Sequence, residues 1–279
     1  MWQMLISLCL TLSGRYPSRP ALRRQPAFRG PASRPHLEAL EDRCLLSGGA
    51  LNSTFGNGGL VTTAIGARSA NANAILQQPD DTTFGPSGNG IVLTHFGSNP
   101  DTISDMALQP NGKIVVAGRS GYSPGVMALA RYTANGSLDN TFGTGGIVNG
   151  VLPAGYSSSQ AEAVLVESNG LIVTAGAAGY VNSQGAGVSN LTLARFTSSG
   201  QLDTTFGSAG FAFNTALDSA TALAVAANGD LLAAGNALQM NADQTTTRHF
   251  ALTAFLPGGA VDPSIGTNGL VTTTITPGG

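Results

Sequence analysis

Cysteine is nearly missing from this chain of 279 residues: there are two, Cys9 and Cys44, both within the first 47 positions. The rest of the chain therefore holds no disulfide framework and no Cys/His metal cluster. Charge is sparse too. Asp, Glu, Lys and Arg make up 10% of the residues, too few for a disordered polyampholyte. No apolar run reaches the length of a membrane-spanning helix. Phosphate-loop and dinucleotide fingerprints are missing. His95 and His249 stand alone, with no Ser or Cys nucleophile beside them in a recognisable setting.

The net charge of -2 conceals an asymmetry. Residues 1–47 carry seven arginines against Glu38, Glu41 and Asp42, whereas the remainder carries six basic and twelve acidic residues. A mildly acidic body has no electrostatic footprint for nucleic acid. The basic front reads as targeting. Its apolar run, Met4–Leu12, suits the core of a secretion signal, although the arginines follow it instead of preceding it; a misplaced start is the competing reading. The Pro/Arg/Ser-rich stretch 14–35 cannot pack a core and is expected to be disordered.

What is abundant is glycine, at 38 of 279, about twice its average usage. Ala, Val, Leu, Ile and Thr fill the intervals between Gly and Asn turns, a mixture that reads as all-β. The chain also repeats itself. Ala128-Leu-Ala-Arg-Tyr-Thr-Ala-Asn-Gly-Ser-Leu-Asp-Asn-Thr-Phe-Gly-Thr-Gly-Gly146 returns at 192–210 and, worn, at 251–269. Ala107-Leu-Gln-Pro-Asn-Gly-Lys-Ile-Val-Val-Ala-Gly118 returns at 163–176 and 222–235. Gly112 to Gly170 is 58 residues and Gly170 to Gly229 is 59.

Each unit offers four strands, lettered a to d. In the first full unit, strand b is 103–109, strand c is 113–117 and strand d is 127–132. An Asn-Gly turn separates b from c, since both residues accept positive φ. Strand a follows the Gly-rich corner, as at 146–148, 209–213 and 269–273. Four antiparallel strands every ~60 residues is the arithmetic of a β-propeller blade. Complete blades are expected in the order b-c-d-a, at about 103–149, 161–213 and 220–275. Upstream stand a lone strand at 60–63 and a damaged blade, 73–77 plus 91–94, because Phe55 to Phe84 is only 29 residues. Three and a half blades cannot close a ring. The expected fold is thus all-β: a partial, open β-propeller of four-stranded antiparallel blades behind a disordered N-terminal segment. Residues 1–48 form an export segment and 49–279 the repeat region.

Two resemblances rest on these motifs. Leu37-Glu-Ala-Leu-Glu-Asp-Arg-Cys-Leu-Leu-Ser47 resembles the N-terminal motif of planctomycete extracellular proteins, which implies export to the cell surface or medium. The units from Leu51 to Thr274 resemble the delta-60 repeat, a propeller-type family. In the last unit Ala254 replaces the repeat's arginine and Ile265 its phenylalanine. The family brings no catalytic residue to carry over.

Candidate chemistry is thin. Asp139, Asp203 and Asp262 recur at the corners, either as one calcium ligand per blade or as Asp turns that accept backbone N–H groups, with the adjacent Phe wedged between blades. Arg131 and Arg195 recur in strand d, either lining a polyanion site or covering the neighbouring blade with their stems. The c–d connections, 119–126, 177–190 and 236–249, are polar, unequal in length and carry Tyr122 and Tyr180; such segments on a fixed scaffold usually carry a binding surface. No catalytic, cofactor or metal residue is assigned.

The leading expectation is an exported, non-enzymatic binding or cell-surface scaffold, with a protein or glycan ligand, no cofactor, no nucleic-acid partner, no membrane span, and self-association through open blade faces. A propeller-type lyase or glycan hydrolase is the alternative; a fragment of a longer repeat protein is another. Limited proteolysis of the full chain is expected to release the residues before about Leu51 and leave the repeats intact. Protection of the 23–34 segment would contradict this.

Overall fold

The computed structural model describes residues 84–85, 91–94, 101–121, 124–240 and 246–273. The chain divides into two compact units, Met1–Gly66 and Ala67–Gly279, and every described residue belongs to the second. The export segment, the strands expected at 60–63 and 73–77, His95 and Tyr122 lie outside the described residues.

Twelve strands form three four-stranded antiparallel sheets, each a simple meander. The first blade is β1 Asp101–Leu108, β2 Ile114–Ser120, β3 Val126–Tyr132 and β4 Ile147–Val151. The second is β5 Ser158–Val166, β6 Ile172–Val181, β7 Gly187–Phe196 and β8 Phe211–Asn214. The third is β9 Ser219–Val225, β10 Leu231–Met240, β11 Thr246–Phe255 and β12 Leu270–Thr273. The b-c-d-a phase read from the repeats is thus the phase of the sheets. First strands converge, β1 on β5 and β5 on β9. The three sheets do not close into a ring among the described residues. Residues 91–94, expected as a strand, are irregular; Val92 packs with Phe84 against Ile114, Val116 and Tyr132 of the first blade.

The hydrophobic core lies between sheets. Val115, Leu129 and Phe142 of the first blade meet Ile172, Ala194, Phe196 and Phe211 of the second. Val173, Leu191, Leu193 and Phe206 of the second meet Leu231, Ala237, Ala251 and Phe255 of the third. Both faces of a middle blade are buried, which explains the near-continuous apolar runs in strands c and d.

Each first strand carries a bulge, with the register slipping between Ile103 and Asp105, between Ala161 and Ala163, and opposite Ala234 and Gly235. The bulge presses a carbonyl toward strand c. A Cβ on Gly118, Gly176 or Gly235 would stand 1.9, 2.1 or 2.0 Å from the carbonyl oxygen of Thr102, Gln160 or Ser219. This is the physical reason that every unit carries Ala-Gly at this point of strand c, inside β2, β6 and β10.

The c–d connections depart from expectation. Most of 177–190 is strand, because small and β-compatible residues extend the ladder from Ala177↔Leu191 to Val181↔Gly187. Only 182–186 remain as a loop, held by Asn182 Oδ1, which accepts the N–H of Gln184 at 3.0 Å and of Ala186 at 2.9 Å. In the third blade the ladder likewise runs to Met240↔Thr246. These are projecting hairpins, not loops.

Gly176→Ala is expected to destabilise the protein by about 2–4 kcal/mol, since neither the carbonyl nor its strand can move freely. Gly187→Ala has open space around its Cβ and no positive φ, and is expected to change stability by less than about 1 kcal/mol. Thermal unfolding of the two variants checks the contrast; equal melting temperatures would refute the bulge account.

Candidate functional site

A meander has two rims. One carries the b–c turns and d–a corners; the other carries the c–d hairpins and the connections between blades. The recurrent Arg, Asp and Phe of the sequence all fall on the corner rim.

There Arg131 Nε donates to Asp139 Oδ2 at 2.7 Å, and Lys113 Nζ reaches the same oxygen at 2.8 Å. Thr141 donates its N–H at 3.1 Å and its hydroxyl at 2.7 Å to Asp139 Oδ1. The Arg131 guanidinium lies 4.7 Å from the centroid of the buried Phe142 ring, and it donates across the interface to the Ser198 carbonyl of the second blade. Gly143 N–H donates to Ser199 O at 2.8 Å, and a Cβ on Gly200 would strike the Phe142 ring. The second corner repeats this: Arg195 Nε to Asp203 Oδ2 at 2.8 Å, Arg195 to Pro257 O at 2.6 Å, and Gly207 N–H to Gly258 O at 2.8 Å. Upstream, Gly85 N–H donates to Asn135 O at 2.9 Å. Each corner is a clasp that closes on the turn of the next blade.

The Asp residues are therefore turn acceptors and ion-pair partners, with the Phe wedged between blades, and the arginines bridge to the neighbouring blade. The calcium reading fails at Asp139 and Asp203 because their carboxylate oxygens already receive N–H and O–H donors. Asp262 is capped by Ser264, N–H to Oδ1 at 2.9 Å and hydroxyl to Oδ2 at 2.8 Å. No group of three or more His, Cys, Asp or Glu that could hold a metal occurs among the described residues. Burial pushes the Asp139 carboxyl up, but the Lys113, Thr141 and Arg131 donors outweigh it and hold the group well below the usual carboxylate range. Thr205's hydroxyl does most to lower Asp203, against the cost of burial and with help from Arg195.

The hairpin rim is different. Tyr180 sits at the hairpin of the second blade, its ring edge-on to Tyr156 at 5.4 Å and 87°. Tyr156 stacks on Phe213 at 5.2 Å and accepts a hydrogen bond from Asn190 Nδ2 at 2.9 Å. Ser159 locks the first two blades together, donating to Val151 O and accepting from Met127 N–H at 2.9 Å. A cleft of about 440 Å³ between the first and second blades is lined by Arg119, Ser157, Gln160, Tyr180 and Ser189. A second, of about 530 Å³, opens between the second and third blades beside Asn190, Thr215, Asp218 and Asn236. Sequence reasoning singled out Tyr180 and the c–d connections, though as loops, and missed Gln160, Ser157 and Asp218. Their signal was the polar start of strand b, Asp-Thr, Ser-Ser-Gln and Asp-Ser in successive units. His249 lies on β11 within 3.2 Å of Thr247 Oγ1 and joins no cluster.

One pattern also escaped that reading. Gly121-Tyr-Ser-Pro-Gly125 has the letters of a nucleophile elbow. In sequence it falls between β2 and β3, which pair antiparallel as far as Ser120↔Val126, whereas an elbow requires a strand followed by a helix.

Fold and site define a β-propeller-like repeat domain, and comparison agrees. A family described as "Domain of unknown function (DUF5122) beta-propeller" matches residues 109–142 and 167–206. Both matched stretches run from the b–c turn to the phenylalanine of the clasp. No curated protein matches the chain.

Acid should loosen the clasps. A carboxyl with a depressed folded pKa contributes stability that is full above its unfolded pKa and is lost as pH falls toward the folded one. The melting temperature is expected to fall below about pH 4, and the Asp139→Asn/Asp203→Asn double variant to flatten that fall. Arg195→Ala is expected to cost about 2–4 kcal/mol, because Asp203 loses its ion-pair partner at a nearly buried site. Lys113→Met should cost less, since Arg131 still pairs with Asp139. Denaturant titration of both variants tests the order.

Proposed function

We propose that this protein is an exported, non-enzymatic scaffold that binds its ligand on the hairpin rim. The observation that carries the reading is the contrast between rims. On the corner rim, the repeated charged groups are consumed by clasps within the fold. On the hairpin rim, amide and hydroxyl side chains line open clefts. Export is supported by the likeness of residues 37–47 to a planctomycete extracellular motif, and kinship with delta-60 repeats by the matching units. Purified full-length protein is expected to cosediment with the cell envelope of its source and to be found outside the cytoplasm on fractionation. Cytoplasmic retention would remove the export element, and failure to cosediment would remove the scaffold role.

Self-association belongs to the same proposal. In the second blade, Val173, Ala175, Leu191, Leu193 and Ala212 are buried against the third. The matching residues of the third blade are Leu232, Ala234, Phe250, Leu252 and Val271. Phe250 is 60% and Val271 37% exposed. Those five side chains are apolar, so a second copy of the face can cover them in a two-fold pairing. Light scattering of the full chain is expected to show concentration-dependent association that Phe250→Glu weakens. A clean monomer at high concentration would overturn it.

A further inference from the structure

The two clefts of the hairpin rim are one trough. Both are lined by Gln160, Ala177, Gly187, Val188 and Ser189, so the space crosses the second blade from its junction with the first to its junction with the third. We propose that this trough binds an uncharged oligosaccharide chain. The proposal rests on the scaffold reading and adds the chemical class of the ligand.

Four features carry it. First, the lining carries hydroxyl and carboxamide residues, among them Ser157, Gln160, Ser189 and Thr215. These groups both donate and accept, as a sugar hydroxyl does. Second, charge balances: Arg119 stands at one end and Asp218 at the other. A polyanion would meet a single cation, and a polycation a single carboxylate. Third, part of the lining is low: Ala177 and Gly187 border both clefts, a Cβ on Gly187 would meet nothing within 4 Å, and neither residue raises a bulky side chain into the space. Fourth, Tyr180 is an aromatic wall on a braced support. Its neighbour Tyr156 is fixed by the Phe213 stack at 5.2 Å and the Asn190 hydrogen bond at 2.9 Å. An ordered ring of this kind gives the apolar C–H face of a pyranose a partner at little entropic cost. Gln160 is braced as well: its backbone carbonyl is pinned over Gly176 at the bulge, and its Nε2 donates to Glu162 Oε1 at 2.6 Å.

The trough is too open to hold one sugar by enclosure, and it spans two blade junctions. It therefore suits several units of a chain.

Isothermal titration of the full-length protein with cellohexaose, xylohexaose and mannohexaose tests the proposal, with hexagalacturonate as the charged control. At least one neutral hexasaccharide is expected to bind with a Kd on the order of 0.1 mM, and hexagalacturonate not to. Tyr180→Ala and Gly187→Leu, the second filling the trough from an exposed position, are each expected to weaken binding about 10-fold or more. Unchanged circular dichroism and melting temperature in Gly187→Leu keep that result independent of folding. Envelope binding without binding of any neutral hexasaccharide would overturn the glycan assignment and leave the scaffold reading standing. Binding of hexagalacturonate alone would also overturn it. Binding unaffected by both substitutions would overturn the trough as its place. Loss of both envelope and oligosaccharide binding would remove the two readings together.

Discussion

The structure depends on how one sheet is held to the next. A four-stranded sheet with two apolar faces cannot bury them alone; packing against a neighbouring blade does so. Apolar burial supplies most of the attraction but little direction. Direction comes from the clasp. Arg131 and Arg195 each satisfy a carboxylate in their own blade while donating to a carbonyl in the next. The phenylalanine beneath each guanidinium closes the gap under a glycine of the following turn. Removing any member leaves the others with unmatched charge or an unfilled space, so the residues recur as a set.

That set made the architecture legible. Period, strand number, phase and the interblade role of Asp, Arg and Phe all follow from repeated spacing, because repetition marks positions that answer to the same geometry. The last unit shows the same rule in reverse. Ala254 and Ile265 stand where the clasp would be, and Ser264 takes over the satisfaction of Asp262. The phases of the three sheets were read correctly for this reason, and so was their lack of closure among the described residues.

The binding rim was harder to read. Hairpin length is not set by composition: Ala177 to Val181 looks like loop material but pairs fully with Gly187 to Leu191. Small residues fit a ladder as well as they fit a turn, and cross-strand register decides between them. Gln160 and Asp218 line one cleft through the packing of the second blade on the third, not through sequence proximity, and the polar start of strand b is their only mark in the sequence. The bulge itself was legible only as a recurrent glycine within strand c. A backbone carbonyl leaves no signature in the sequence except the residue it excludes.

The clasp also has a polarity. Its donors lie in one blade and its acceptors in the next, so every junction is a sentence read in one direction. Each blade answers only to its immediate neighbours, and stability in such an array is close to a sum of unit and junction terms. Unit number is then free to drift by duplication or loss, since a new blade that brings its own clasp fits wherever an old one stood. In the third corner Ala254 and Ile265 stand in place of the arginine and the phenylalanine, so that corner lacks the hook its two predecessors carry.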